Sequence, residues 1–280
     1  MGEARPGRAK VRFGHAELLA DEDHPGGWLL TVDGVAQSYV DTRDPGHLEF
    51  DYLRRLGDVI DLAAPPSQPL TAVHVGGGAC TLPRYLAATR PGSPQRVVDA
   101  DGELVEFVAE HLGLDIPGVR TTVGDGREYI SGLADGVADL VVLDAFERAV
   151  VPGGLATAEF TDEVVRVLDP AGVYLLNVSD GPGLVFGRRV AATLAAAFPH
   201  VLLLAEPPVL HNRRYGNLVF AASASPLPVA GVTARAAAAP FPARCLAGAH
   251  IPEFAGDARP LRDDDTMPSP TPPWGLLGRA

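Results

Sequence analysis

HVLLLAE (200–206), PPVLHNRR (207–214) and YGNLVFAAS (215–223) read as strand, link and strand, and this junction decides the fold. Both outer runs are apolar, β-rich and of strand length. The link from Pro207 to Arg214 is too short for a crossover helix, so the two strands pair antiparallel. Upstream, the pattern changes to a regular alternation. Apolar runs TAVHVG (71–76), QRVVDA (95–100), VRTTVG (119–124), ADLVVLDA (138–145) and GVYLLNVS (172–179) are separated by helical segments. Those helices are PRYLAAT, ELVEFVAEHL, TAEFTDEVVRVL and GRRVAATLAAAF. Apolar strands joined by helices imply a parallel sheet buried on both faces, with right-handed crossovers.

Six strands in βα rhythm closed by one reversed strand resemble the sheet of S-adenosylmethionine-dependent methyltransferases. The expected fold is therefore α/β, doubly wound, with a mostly parallel seven-stranded sheet. Ahead of it, AELLAD, GWLLTVDG and VAQSYVD are short runs broken by turn formers, predicting a small N-terminal β unit of two or three strands. Leu48, Phe50, Tyr52, Leu53, Leu56 and Ile60 then recur at helical spacing. The organisation read here is residues 1–65 for the β unit and connecting helix, 66–225 for the nucleoside-binding domain, and 226–280 for an Ala/Pro-rich extension. PLRDDDTMPSPTPPWGLLGRA within that extension has little apolar content and predicts partial disorder.

With 46% hydrophobic and 21% charged residues the chain can bury a substantial core. A net charge of −12 disfavours nucleic acid and anionic membranes as partners. Cys80 and Cys245 form no CxxC pair, and the histidines show no HExxH spacing, so no metal centre is expected. No run approaches the ~20 apolar residues of a membrane span. The expected location is cytoplasmic.

In doubly wound sheets ligands bind beyond the carboxyl ends of the strands. The first strand ends in Gly76-Gly77-Gly78-Ala79-Cys80-Thr81, which lets backbone N–H groups approach a ligand but lacks the G-x-G-x-x-G of a dinucleotide site. A purely structural tight turn fits those glycines equally well. The second ends in Asp99, placed to accept ribose hydroxyls; Asp101, two residues on, reads as a helix cap. Gly124-Asp125-Gly126 follows the third strand, with Asp125 able to accept an exocyclic amine, or simply to form an Asp-Gly turn. Asp144 follows the fourth, at the rim of a buried strand, where it can take a proton from an amine; Glu147 can hold a second positive charge. A loop-anchoring role is the alternative for both.

Together these residues resemble the spermidine synthase family of polyamine aminopropyltransferases, over roughly residues 11–225. Asp33-Gly34-Val35-Ala36-Gln37 is similar to its Asp-Gly-x-x-Gln, and Gly76-Gly77-Gly78 to the start of its glycine loop. Asp99-Ala-Asp101 stands for its Glu-x-Asp, Gly124-Asp125-Gly126 for its adenine loop, and Leu143-Asp144-Ala-Phe-Glu147 for its catalytic Asp-Ser-x-Asp-Pro. The resemblance implies decarboxylated S-adenosylmethionine, or S-adenosylmethionine, bound by Gln37, Gly76, Gly77, Gly78, Asp99, Asp125 and Gly126. It implies Asp144 as the catalytic base, Glu147 on a small cationic amine such as putrescine, no metal, and a homodimer. Three departures stand out. Ala79 replaces the acid that helps hold the aminopropyl ammonium, the Tyr-His-Glu after the glutamine is not kept, and Arg148 follows Glu147 in place of proline. The loss at Ala79 motivates methyl transfer as an alternative, and the altered acceptor pocket motivates a non-catalytic nucleoside- or partner-binding homologue.

Overall fold

The computed structural model describes residues 4–273. A four-stranded antiparallel sheet, in the order β1 (Gly7–Val11), β2 (Gly14–Ala20), β3 (Gly27–Val32) and β4 (Val35–Asp41), opens the chain. It has one strand more than the patterning predicts. The extra strand, GRAKV, alternates partly buried and exposed positions at the sheet edge, where charged side chains deter further pairing and leave little apolar signal. Asp33 (φ 49°) and Gly34 (φ 75°) turn β3 into β4, as an Asp-Gly hairpin requires.

Helix α1 (Asp51–Ala63) links this sheet to β5 (Ala72–Val75), and the expected alternation follows: α2 (Thr81–Thr89), β6 (Gln95–Asp99), α3 (Gly102–His111), β7 (Val119–Val123), α4 (Gly126–Ser131), β8 (Ala138–Leu143), α5 (Ala158–Val167), β9 (Leu168–Asp180), α6 (Val185–Ala197) and β10 (His200–Ala205). A single-turn α7 (Pro207–Leu210) leads to β11 (Gly216–Ser223). Strands β5 to β9 pair in parallel, and β11 lies antiparallel between β9 and β10. The reversed strand is therefore where the short link requires it.

Beyond residue 226 the described chain is ordered, including residues 260–273, for which low apolar content predicts disorder. Helix α8 (Val229–Ala238) packs on α1, β12 (Arg244–Ala247) extends the sheet to eight strands beside β10, and α9 (His250–Ala255) packs on α6. The final order is β12-β10-β11-β9-β8-β5-β6-β7. Leu261 is fully buried with its N–H on Thr193 Oγ1 at 2.9 Å. Ser269 Oγ accepts from Val151 N at 2.8 Å, and Arg127 grips Asp263 through two bonds of 2.7 and 2.5 Å. Low apolar content predicts disorder over 260–273, but here side-chain hydrogen bonds tie the segment to the core. The rest of that expectation concerns residues 274–280, outside the described residues.

Strand periodicity divides the core. Val141 and Leu143 face α5 and α6, while Leu140 and Val142 face α1, α2 and α8. The N-terminal sheet joins the main domain through a third cluster, in which Val11, Ala16 and Leu18 meet Leu104, Phe107 and Val108 of α3.

Helix α1 has no basic residue in its last turn, so its C-terminal carbonyls need another donor. Arg90, 2% exposed, supplies it, donating to the carbonyls of Ile60, Asp61, Ala64, Pro65 and Gln68 at 2.7–3.2 Å. Arg90→Met keeps the volume but orphans these acceptors. It is expected to lower stability by about 2–4 kcal/mol in urea unfolding. A loss under about 1 kcal/mol would show that water caps the helix instead.

Candidate active site

The tips of β5, β6 and β8 converge on one cavity of about 260 Å³. Gln37, Gly76, Gly77, Gly78, Asp99, Asp125, Gly126, Asp144 and Glu147 all line it. Their meeting starts from backbone geometry. Gly76 has φ +91°, and a Cβ there would stand 2.3 Å from the Asp144 carbonyl oxygen, so only glycine lets the two strand ends close together. Gly77 and Gly78 then donate to Asp99 Oδ2 at 2.8 and 3.3 Å, while Asp99 Oδ1 takes the Asp101 N–H at 2.9 Å. Asp99 is thus engaged with the loop while still facing the cavity. Burial raises its pKa despite these three donors.

The other acids divide by task. Asp101, 2% exposed, caps α3 through Leu104 N and also holds the Arg12 and Phe13 N–H groups of the N-terminal sheet. Asp125 caps α4 through Glu128 N at 2.9 Å and remains exposed at the cavity. Its two expected roles, turn residue and cavity acceptor, are compatible because the cap uses Oδ1 alone.

Asp144 differs from all of these. Its Oδ1 accepts from Asn177 Nδ2 at 2.9 Å, and the Tyr52 hydroxyl also donates to it. Burial outweighs both donors and pushes its pKa up to about 6. Burial, with the charge of Asp144 added, drives the Tyr52 phenol well above its ordinary value, so it stays a donor. Neither partner was singled out from sequence. Tyr52 looked like one more apolar position of α1, and Asn177 was hidden inside the run LLNVS. The available signal was that asparagine, since a lone amide in a buried strand requires a partner.

A second cavity of about 510 Å³ adjoins the first. Gln37, Tyr52 and Phe146 line both, with Asp144 on the first side and Asn177 on the second, so the carboxylate sits at the junction. Glu147 is exposed and lines the first cavity but not the second. Arg148 (φ 49°) is exposed in the turn closed by the Glu147–Val150 bridge and lines neither cavity. Among the described residues no three His, Cys, Asp or Glu side chains are grouped to hold a metal, and no helix is long and apolar enough to cross a membrane.

The fold is a doubly wound, mostly parallel sheet of the S-adenosylmethionine-dependent methyltransferase type, with a cavity at its strand tips. No family model matches the chain. A solved structure of a probable spermidine synthase from Corynebacterium glutamicum is similar at TM-score 0.86 and 29% identity, over 94% of this chain and 97% of that one. The polyamine aminopropyltransferase of Vibrio vulnificus is 33% identical over 117 residues, which span 40% of this chain but only 38% of that protein. The polyamine aminopropyltransferase of Moorella thermoacetica is 27% identical over 194 residues, 66% of this chain and 64% of its own. The chain is thus similar to the spermidine synthase family, over nearly its whole length in fold and over shorter spans in sequence.

The raised Asp144 pKa fixes the sign of a stability effect. Above pH 6 the folded protein carries a desolvated charge that the unfolded chain, at its ordinary value of 3.8, carries in water. This penalty shrinks as pH falls from about 6 and is gone below the unfolded value. Asp144→Asn should therefore stabilise the fold by about 2 kcal/mol at pH 8, with the gain vanishing by about pH 4. A gain that does not change with pH in thermal unfolding would contradict the raised pKa.

Proposed function

We propose that the chain is a transferase that moves an aminopropyl group from decarboxylated S-adenosylmethionine to an amine acceptor. The single observation that carries this reading is the position of Asp144, a desolvated carboxylate at the junction between an adenosine-sized cavity and a second, wider one. In the first cavity Asp99 would take ribose hydroxyls with its remaining lone pairs, Asp125 Oδ2 the adenine amine, and the glycine loop would lie against the ligand. The sulfonium then faces Asp144.

The chemistry needs little beyond alignment. An acceptor amine in the second cavity attacks the carbon next to the sulfonium; a C–N bond forms, the C–S bond breaks, and methylthioadenosine leaves as a neutral thioether. The nitrogen, positively charged once the bond forms, gives a proton to Asp144, whose pKa near 6 suits a base working at neutral pH. Tyr52 and Asn177 are positioning residues that aim the carboxylate, and alignment of the two substrates supplies the larger share of the acceleration. A bound cation lowers the Asp144 pKa again, keeping it ionised in the complex.

Methyl transfer from S-adenosylmethionine is the second reading, and Ala79 motivates it. That residue is fully buried on the glycine loop and contributes no charge to hold an aminopropyl ammonium. Ligand-induced stabilisation separates the two. At 100 times its Kd a ligand raises stability by ~2.7 kcal/mol. Decarboxylated S-adenosylmethionine and methylthioadenosine are expected to stabilise the fold more than S-adenosylmethionine at equal concentration; the reverse order supports methyl transfer. Asp144→Asn is expected to lower turnover at least a hundredfold while methylthioadenosine binding stays within about twofold. Unchanged turnover would remove Asp144 from the mechanism.

A further inference from the structure

The second cavity combines matched charges with aromatic walls. Its acids are Glu49, Asp51 and Glu206. Glu206 pairs with Arg214 Nη2 at 2.6 Å and Arg55 Nη2 at 3.5 Å. Arg54 bridges Asp51 at 3.3 Å and Glu49 at 3.6 Å. Every guanidinium here is engaged with a carboxylate, and every carboxylate with a guanidinium. A molecule with two positive ends finds no unclaimed acid for its far end, and the arginines repel it. The near end is different. Asp144, at the junction with the first cavity, has an amide and a phenol beside it and no cation, so it can take one ammonium.

What the wall offers a ligand is rings. Phe50, Tyr52, Phe146, Tyr215 and Phe241 all line the cavity. Phe50 and Tyr52 have ring centroids 6.1 Å apart at an interplanar angle of 31°. Both tyrosine hydroxyls are occupied, Tyr52 with Asp144, and Tyr215 with Ser179 Oγ at 2.6 Å and the Pro270 carbonyl at 3.1 Å. Each therefore presents a ring rather than a free polar tip. Phe241 is 58% exposed, the most exposed large apolar side chain among the described residues. It stands between Pro240 and Pro242 in the link from α8 to β12, where fixed proline φ angles stiffen the backbone. An apolar ring held open to water at a cavity wall gains free energy when something covers it. An aromatic body does so, and it is attracted to neighbouring guanidiniums where an ammonium is repelled.

We infer that the acceptor is an arylalkylamine, a single primary amine on a short chain ending in an aromatic ring, with its nitrogen at Asp144 and its ring against Phe241. This rests on the aminopropyl-acceptor reading of the second cavity and narrows it. The nitrogen forms the C–N bond and gives its proton to Asp144. The ring takes no part in bond making and sets how deeply the nitrogen enters.

Calorimetric titration at pH 8 with amines built on one butyl chain tests this, in protein saturated with methylthioadenosine and again in protein without it. n-Butylamine is the reference; 4-phenylbutylamine and 4-cyclohexylbutylamine add a ring at the far end, and putrescine adds a second amine there. Binding of 4-phenylbutylamine is expected to be at least about tenfold tighter than that of n-butylamine or putrescine. It should also be about threefold tighter than that of 4-cyclohexylbutylamine. Phe241→Ala should cut the preference for 4-phenylbutylamine over n-butylamine at least fivefold, and Phe241→Tyr should keep it. Tighter binding of putrescine, equal binding of the phenyl and cyclohexyl amines, binding of none, or a preference unmoved by Phe241→Ala overturns the inference. The wild-type order alone decides if the variant misfolds. Methylthioadenosine release from decarboxylated S-adenosylmethionine, followed with each amine, tests the transfer reaction separately. Release that is fastest with putrescine keeps aminopropyl transfer and discards the aryl acceptor. No release with any amine, beside tight 4-phenylbutylamine binding, discards the transfer and keeps the aromatic pocket.

Discussion

Position 76 has room for a hydrogen and nothing larger. Adjacent parallel strands β5 and β8 end together, and the Asp144 carbonyl occupies the space any side chain at 76 would need. From that contact the loop of three glycines is forced across the strand ends. Its N–H groups find Asp99 on β6, and three strand tips become one surface. The first cavity follows from this arrangement, and Gln37, Tyr52 and Phe146 stand between it and the second.

Electrostatic environment then differentiates residues of one type. Asp101 and Asp125 spend a carboxylate oxygen on helix N-termini, where backbone N–H groups are free. Asp99 ties the glycine loop. Asp144 has only Asn177 and Tyr52, and its desolvation outweighs both. The same side chain is thus a cap, a tether or a desolvated carboxylate of raised pKa according to how many fixed donors surround it. In the second cavity the acids are instead matched by guanidiniums, Glu206 by Arg55 and Arg214, and Asp51 and Glu49 by Arg54.

The wall opposite the glycine loop depends on the C-terminal segment. Ser269 holds Val151, Tyr215 holds the Pro270 carbonyl, and Arg127, itself a cavity residue, is fixed by Asp263. Residues remote in sequence therefore set the position of the loop that follows Asp144. The acidic run 263–265, which looks like a solvated stretch, is held by Arg127 and Arg189.

Period and punctuation were enough for the sheet. Apolar runs of strand length alternating with amphipathic helices leave one architecture, and the short link from Pro207 to Arg214 reverses the last strand of the seven read from sequence. The glycines and the acids at the strand ends were legible for the same reason, since in such a sheet the ends of the strands are where the chain can approach a ligand. Strand β1, strand β12 and the 261–273 segment escaped notice because edge pairing and side-chain-to-backbone bonds leave no repeating pattern. Tyr52 and Asn177 escaped because each occupies a position in an apolar run, and only tertiary packing turns it towards Asp144. The charge of the second cavity belongs to the same category. Glu49 and Arg55 are separated from Glu206 and Arg214 by a long stretch of chain, and whether a carboxylate is free or neutralised depends on distances of a few ångströms that no local pattern carries.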